Sequence, residues 1–216
     1  MISSRYRLVF FDVDSTVVTI EGIDALAGAN PDVARLTEAA MNGRISLDEV
    51  YARRLEMIRP SRADVDALAR RYLESLTPGA EETIARLREG GAQVHLVTAG
   101  IAQAITPLAE RFAIPARAVH AVALRFSPAG DYEDFDRRSP LARGGGKELV
   151  VRDVRARSKG KAAFIGDGVS DLEAKAAVEL FVGYGGVRVR AKVKENADLW
   201  VEGPLTNVLP HLLERT

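Results

Sequence analysis

Leu8-Val-Phe-Phe-Asp-Val-Asp-Ser-Thr16 is the stretch from which the rest of this chain is read. Four consecutive apolar residues that end abruptly in acids have the pattern of a short strand buried on both faces. Two further runs repeat it, Gln93-Val-His-Leu-Val-Thr98 and Ala162-Ala-Phe-Ile-Gly166. Each ends in a small or polar residue and passes into a helical pattern. Strand-to-helix alternation of this kind predicts an α/β fold built on a doubly wound parallel sheet. Ligands of such sheets bind at the carboxyl ends of the strands, so the polar residues after the three runs are predicted to converge.

About eighty residues separate the first run from the second, whereas a whole βαβ unit needs roughly 30. Helices are predicted there over Asp32 to Met41, Leu47 to Ile58 and Asp64 to Leu76. Ser46 and Ser61 are candidate N-caps, and Ser61-Arg-Ala-Asp64 has the form of a capping box. Pro31, Asn42-Gly43, Pro60 and Thr77-Pro-Gly79 punctuate the segment. The expected division is a core of residues 1–17 and 77–216 and a small helical cap, 18–76, inserted after the first strand as a lid over the sheet. The plain alternative is that 18–76 is extra core. Val119 to Phe135 reads as one hairpin, and Arg143-Gly-Gly-Gly-Lys147 as a pliable approach to a helix. Leu180 to Leu213 offers two short strands and a final helix from near Pro204.

Composition narrows the function classes. Thirty basic residues balance thirty acidic ones, leaving no electrostatic footprint for nucleic acid or an anionic membrane. The absence of cysteine excludes disulfides, thiolate metal sites and cysteine nucleophiles. No run approaches the ~18 apolar residues of a membrane span, and Leu8 to Phe11 is too short and too closely followed by acids for a signal sequence. A cytoplasmic globular protein with 47% hydrophobic and 28% charged residues is expected.

Asp12 and Asp14 directly after a buried strand would repel each other unless a cation joins them, and Mg²⁺ prefers carboxylate oxygen. In the catalytic reading Asp12 attacks phosphorus and forms an aspartyl-phosphate, while Asp14 protonates the leaving oxygen and then activates water. An acid-rich turn is the plain alternative. Thr98, ahead of Ala99-Gly100 at an expected helix start, either holds a phosphate oxygen or is an ordinary N-cap. Lys147 either reaches in to neutralise Asp12 and the phosphoryl group or is a solvated surface lysine. Gly166-Asp-Gly-Val-Ser-Asp171 places Asp167 for a metal and Asp171 for the metal's waters or Lys147, with a favourable first-turn acid as the alternative for Asp171. The succession of acid pair, hydroxyl, lysine and acid pair is what phosphoryl transfer needs. His95, His120 and His211 lack ligand spacing and read as structural or surface residues, and Trp200 as packing.

In these motifs and their order the chain resembles the haloacid dehalogenase superfamily of phosphatases, from Leu8 to about Asp198. Within it the sequence is most similar to the phosphoserine phosphatase family, through Asp12 to Val17, Glu21-Gly-Ile-Asp-Ala-Leu-Ala27, Ala40-Met41, Arg53-Arg-Leu55, Ile58-Arg-Pro-Ser61, Asp131 to Phe135 and Gly145-Gly-Lys147. The resemblance implies a Rossmann-like core, Mg²⁺ held by Asp12, Asp14 and Asp167 with Asp171 behind it, and a small phosphorylated amino acid as substrate. Thr98, Ala99 and Gly100 would lie against that substrate. Glu21 would meet its ammonium and Arg54 its carboxylate, with Met41 packed alongside. The plain alternatives are a helix-capping Glu21 and a surface-paired Arg54. The family's second motif is usually Ser-Gly-Gly, and Ala99 here adds a methyl group where backbone meets substrate. The loop Arg137 to Arg143 is also more basic than the family leads one to expect. Hydrolysis of O-phosphoserine is the expected reaction. Another small phosphomonoester (phosphohomoserine, phosphothreonine or a sugar phosphate), transfer to another acceptor, or a silent metal-dependent binding module are the alternatives. A monomer or homodimer without nucleic-acid or membrane partners is expected.

Overall fold

The computed structural model describes residues 2–28, 30–41, 44–45 and 47–215, with the side chains at 40, 41, 47 and 49 outside the description. The strands are β1 (Ile2–Ser4), β2 (Leu8–Phe11), β3 (Gln93–Ile101), β4 (Val119–Val122), β5 (Leu124–Phe126), β6 (Tyr132–Phe135), β7 (Ala162–Gly166), β8 (Leu180–Tyr184), β9 (Leu199–Val201) and β10 (Leu213–Arg215). The helices are α1 (Gly22–Ala27), α2 (Pro31–Met41), α3 (Leu47–Ile58), α4 (Arg62–Glu74), α5 (Ala80–Glu89), α6 (Ala102–Arg111), α7 (Gly146–Arg157), α8 (Val169–Leu172), α9 (Ala191–Asn196) and α10 (Leu209–Leu212).

Six strands form one parallel sheet in the order β4-β3-β2-β7-β8-β9. All four residues of β2 and all five of β7 are buried, as their continuous apolar runs require. Across one face, in register, lie His95, Phe10, Phe164 and Phe181, with ring centroids 5.1, 6.3 and 6.0 Å apart. The chain runs outward from β2 through β3 to β4 and then returns to β7 on the other side of β2. The sheet's direction of growth therefore reverses at β2, the position beyond whose strand ends sheets of this kind bind ligands.

Among the described residues five helices occupy the connection from β2 to β3: α1 to α4, and then α5, which leads into β3. The chain leaves the sheet and returns to it by adjacent passages: Val18 pairs antiparallel with Leu76, the Thr19 N–H donates to the Ser75 carbonyl at 2.8 Å and the Thr77 N–H to the Val17 carbonyl at 2.9 Å. Ser61 and Asp64 form the expected capping box, starting α4 at Arg62. Val65, Leu68, Ala69 and Tyr72 give α4 its buried face at helical spacing. The expected N-cap Ser46 and the Asn42-Gly43 turn lie outside the described residues.

Several boundaries differ from expectation. α1 is a helix of only six residues, too short to register as a period. Val119–Val122 is the edge strand of the main sheet, and the hairpin is confined to β5 and β6. β3 continues past Thr98 to Ile101, with a register irregularity against β4, so α6 begins three residues later than a Thr98 cap would place it. The final helix is a short α10 after a tight turn at Leu205–Val208, and β10 then pairs antiparallel with β1.

Candidate active site

Asp12 follows the central strand β2, Thr98 lies on its neighbour β3, and Asp167 follows its other neighbour β7. Adjacent strands lie ≈ 4.8 Å apart, so convergence at their carboxyl ends follows from the pairing. Lys147, in the first turn of α7, adds an ammonium group. Its Nζ donates to Asp12 Oδ1 at 2.6 Å and to Asp171 Oδ1, and its side chain is only 5% exposed, which rules out a solvated lysine. Burial alone would lower the pKa of this ammonium, but Asp12 and Asp171 outweigh it and raise it.

Asp12, Asp167 and Asp171 each bring a carboxylate oxygen within 4.8 Å of the others, and all three residues are buried. Asp171 also accepts the Gly168 N–H at 2.8 Å, so it serves its own helical turn as well as Lys147. A side chain at Gly166 would stand 2.4 Å from the Asp171 carboxyl carbon, so only glycine lets the strand end this close to the cluster. Burial, then the charge of Asp171, holds the Asp12 carboxyl well above the ordinary carboxylate range. Burial, then Glu21, lifts Asp167 to about 8. Asp12 and Asp167, whose carboxyls resist ionisation in this buried space beside Asp171, suit a hard divalent cation bound by oxygen. The donor set therefore fits a metal ion.

Asp14 points elsewhere. Its Oδ1 accepts the Tyr72 hydroxyl at 2.7 Å, and burial raises its pKa to about 7. The three clustered carboxylates are thus Asp12, Asp167 and Asp171, whereas the expected metal set had Asp14 in place of Asp171. Tyr72 comes from α4 and is fully buried. A Cβ on Gly22 would lie 1.9 Å from its hydroxyl, so that glycine leaves the room Tyr72 needs. The turn after Asp14 is strained: Ser15 has φ 54°, uncommon for a residue with a side chain, and its Oγ donates to Glu21 Oε1 at 2.6 Å. Thr16 Oγ1 lies 3.3 Å from Asp167 Oδ1.

Thr98 is buried, and its Oγ1 accepts the Gly100 N–H at 2.9 Å, leaving the hydroxyl proton to be donated elsewhere. Ala99, beside it, is partly exposed. Glu21 stands at the N-cap position of α1 without its side chain capping the helix. Arg190 Nη2 and Arg188 Nε lie 3.5 and 3.8 Å from Glu21 Oε1, the same oxygen that Ser15 engages. Arg190 also donates from Nε to Asp167 Oδ2 at 3.0 Å and is itself buried. Arg54 is 2% exposed, so a surface ion pair is excluded. Its Nη1 donates to Thr37 Oγ1 at 2.9 Å, Thr37 in turn bonds Asp24, and its Nε has no hydrogen-bond partner among the described residues. Burial lowers the Arg54 pKa against the opposing charges of Tyr51, Asp24, Glu21 and Asp14. Met41 closes α2, and its side chain is not among those described.

Sequence reasoning missed Tyr72, Ser15 and Arg190. Tyr72 carried a signal, since it continues the Val65, Leu68, Ala69 stripe and so had to face inward at the end of α4. Arg190 carried none, being one basic residue in the run Arg188 to Lys194.

A model of the haloacid dehalogenase-like hydrolases matches residues 9–175. The chain is 37% identical to a phosphoserine phosphatase of Bos taurus, over 89% of this chain and 88% of that one. It is 40% identical to the chloroplastic phosphoserine phosphatase of Arabidopsis thaliana, over 88% of this chain and 66% of that one. A solved structure described as a phospho-aspartyl intermediate analogue of phosphoserine phosphatase superposes with a TM-score of 0.85 over 96% of this chain and 99% of that one, at 24% identity, and so has the same fold. Family match, extended identity and shared fold agree, and the chain belongs to the haloacid dehalogenase-like hydrolases.

Proposed function

We propose that the protein hydrolyses O-phosphoserine to serine and phosphate through an aspartyl-phosphate on Asp12. The observation that carries the substrate is Arg54: a guanidinium 2% exposed, with no ion pair among the described residues and an orphaned Nε. A buried unpaired cation is costly, and a substrate carboxylate would complete it with charge-assisted hydrogen bonds. Glu21 offers the opposite charge for the ammonium, with Arg188 and Arg190 as competitors for it. The relatives named above act on phosphoserine by their names, which supports the same reading.

In this mechanism an Asp12 carboxylate oxygen attacks phosphorus, and the bond from phosphorus to the seryl oxygen breaks. Tyr72 already donates to Asp14 Oδ1, so the acidic proton of Asp14 resides on Oδ2 and passes from there to the seryl oxygen. Asp14 then takes a proton from water, the water oxygen bonds to phosphorus, and Asp12 leaves as carboxylate. Lys147 holds Asp12 in place throughout, and the Thr98 hydroxyl donates to a phosphoryl oxygen. Asp12 and Asp167, with Asp171 beside them, would hold Mg²⁺, which when bound spreads the negative charge of the phosphoryl oxygens. Residues 18–76 act as a cap that brings Glu21, Arg54 and Tyr72 to the sheet.

Arg54→Ala is expected to lower kcat/KM for O-phosphoserine by about tenfold to a hundredfold, the size of one lost charged hydrogen bond or two. Turnover of p-nitrophenyl phosphate, which has no carboxylate, should change far less. Equal losses on both substrates would remove the amino-acid assignment.

The acid cluster also predicts a pH-dependent metal effect. Asp14 and Asp167, ordinarily near 3.8, are raised to about 7 and about 8. At these two carboxyls the folded metal-free protein therefore holds protons that the unfolded chain releases, and their contribution to stability falls as pH rises from about 4 to about 8. Mg²⁺ binds the ionised cluster, so it should raise Tm more at pH 8 than at pH 5 in a thermal melt. A shift of the same size at both pH values would contradict a metal bound by these carboxylates.

A further inference from the structure

Away from the acid cluster, a cavity of 520 Å³ is lined by His95, His120, Arg88, Arg117, Arg157 and Asp153, with Val94, Pro115 and Val154 among its apolar surface. That volume suits a small organic molecule. It lies beside the β3–β4 edge of the sheet and the last turns of α7, the helix whose first turn carries Lys147.

The two imidazoles are 25 positions apart in sequence, yet His95 Nδ1 and His120 Nε2 lie 3.2 Å from each other. The ring planes differ by 15° and the centroids are 5.5 Å apart. Since a ring nitrogen lies about 1.15 Å from its centroid, a separation of 5.5 Å places the two nitrogens on the line between the rings, pointing at one another. That is the geometry of one proton shared in line (N–H···N); nitrogens chelating a metal would converge on a third point instead.

A neutral pair linked in this way has one outer N–H and one outer lone pair. Adding one proton makes both outer nitrogens donors and leaves the inner hydrogen bond intact. The groups around the pair favour an anion as the trigger. Arg117 faces His95, Arg157 and Asp153 face His120, and Arg88 lines the cavity from α5. Asp153 is engaged by Arg157 at 2.7 Å, and Arg88 by the Phe112 carbonyl at 2.9 Å. Arg117 has no ion pair among the described residues and is exposed. Three guanidiniums against one carboxylate leave the cavity positive in a protein that is neutral as a whole. Without a ligand the imidazoles stay neutral, since burial, His120 and Arg117 press His95 down to about 4 and burial lowers His120.

We propose that this cavity is a second binding site, for a small organic oxyanion (a carboxylate or phosphate group on a compact apolar body), which Arg117 meets and whose binding is accompanied by uptake of one proton on the His95–His120 pair. The test is imidazole ¹⁵N NMR on the full-length, Mg²⁺-loaded protein, titrated with benzoate in one arm and non-hydrolysable phenylphosphonate in the other. Expected are saturable shifts of His95 and His120 but not of His211, and a rise in the pH at which the pair titrates. Saturation by benzoate alone identifies a carboxylate ligand, by phenylphosphonate alone a phosphate, and by both a site for either oxyanion. Arg117→Ala should weaken binding about tenfold, one charge-assisted contact, with phosphate release at the catalytic site unchanged. No saturable shift with either probe, equal shifts at His211, an unmoved titration of the pair, or undiminished affinity in Arg117→Ala would overturn the proposal.

Discussion

Asp12→Asn is expected to slow phosphate release from O-phosphoserine by at least about a thousandfold, because an amide nitrogen or oxygen cannot replace a carboxylate as the phosphoryl acceptor. The same variant should fold at least as stably as the parent when metal-free. Asp12 sits in a crowd of acids, and burial first and then their repulsion keep its carboxyl well above the ordinary range. An asparagine removes one of those charges while its Oδ1 can still accept from Lys147, whose second partner, Asp171, remains in place. Measuring activity and Tm on one purified sample separates the two effects. Substantial turnover with an intact fold would exclude Asp12 as nucleophile. A collapsed fold would instead show that the cluster needs the charge.

Lys147→Met should do the opposite to stability. It removes the ammonium that sits between Asp12 and Asp171 and leaves two buried carboxylates without it. Breaking a buried pair in this way costs about 3–5 kcal/mol, which for a domain of this size lowers Tm by roughly 10 °C. Activity should fall about a thousandfold, since the charge that holds Asp12 and offsets the phosphoryl group is gone. The loss of stability should be smaller at pH 5 than at pH 8, because Asp12 can take up a proton once its cation has left. A melt showing the same deficit at both pH values would mean that Lys147 acts through packing alone.

How far the sequence could be read depends on the signal each residue type carries. Asp12 and Asp167 were legible because buried parallel strands are written as short apolar runs, and the residues just after such runs gather at one end of the sheet. Lys147 was legible as the first charge after three glycines. Thr98 is expected to close its strand directly before a helix start, but β3 continues past it to Ile101 before α6 begins. Strand pairing is where legibility failed. Val119-His-Ala-Val122 is as good a hairpin arm as it is an edge strand, and only its neighbour β3 decides between them. The β1–β10 pair joins segments more than 200 positions apart, which no local pattern can report. His95 and His120 were read singly for the same reason. Tyr72, Ser15 and Arg190 act through partners on other elements, so their roles become visible only once α4, the strained turn and the loop after β8 are in place.

The paired passages at Val17–Thr19 and Ser75–Thr77 have a further consequence. Both ends of the helical segment meet at one point, so whatever lies between them forms a closed loop hung on the sheet by a two-stranded neck. The segment is also anchored beyond that neck, since α4 packs on α6 and the Arg62 N–H donates to the Gly130 carbonyl at 2.8 Å. Tyr72 and Glu21 lie within that segment and engage Asp14 and Ser15, so the neck fixes where the segment's ends lie while its first and last helices remain tied to the site.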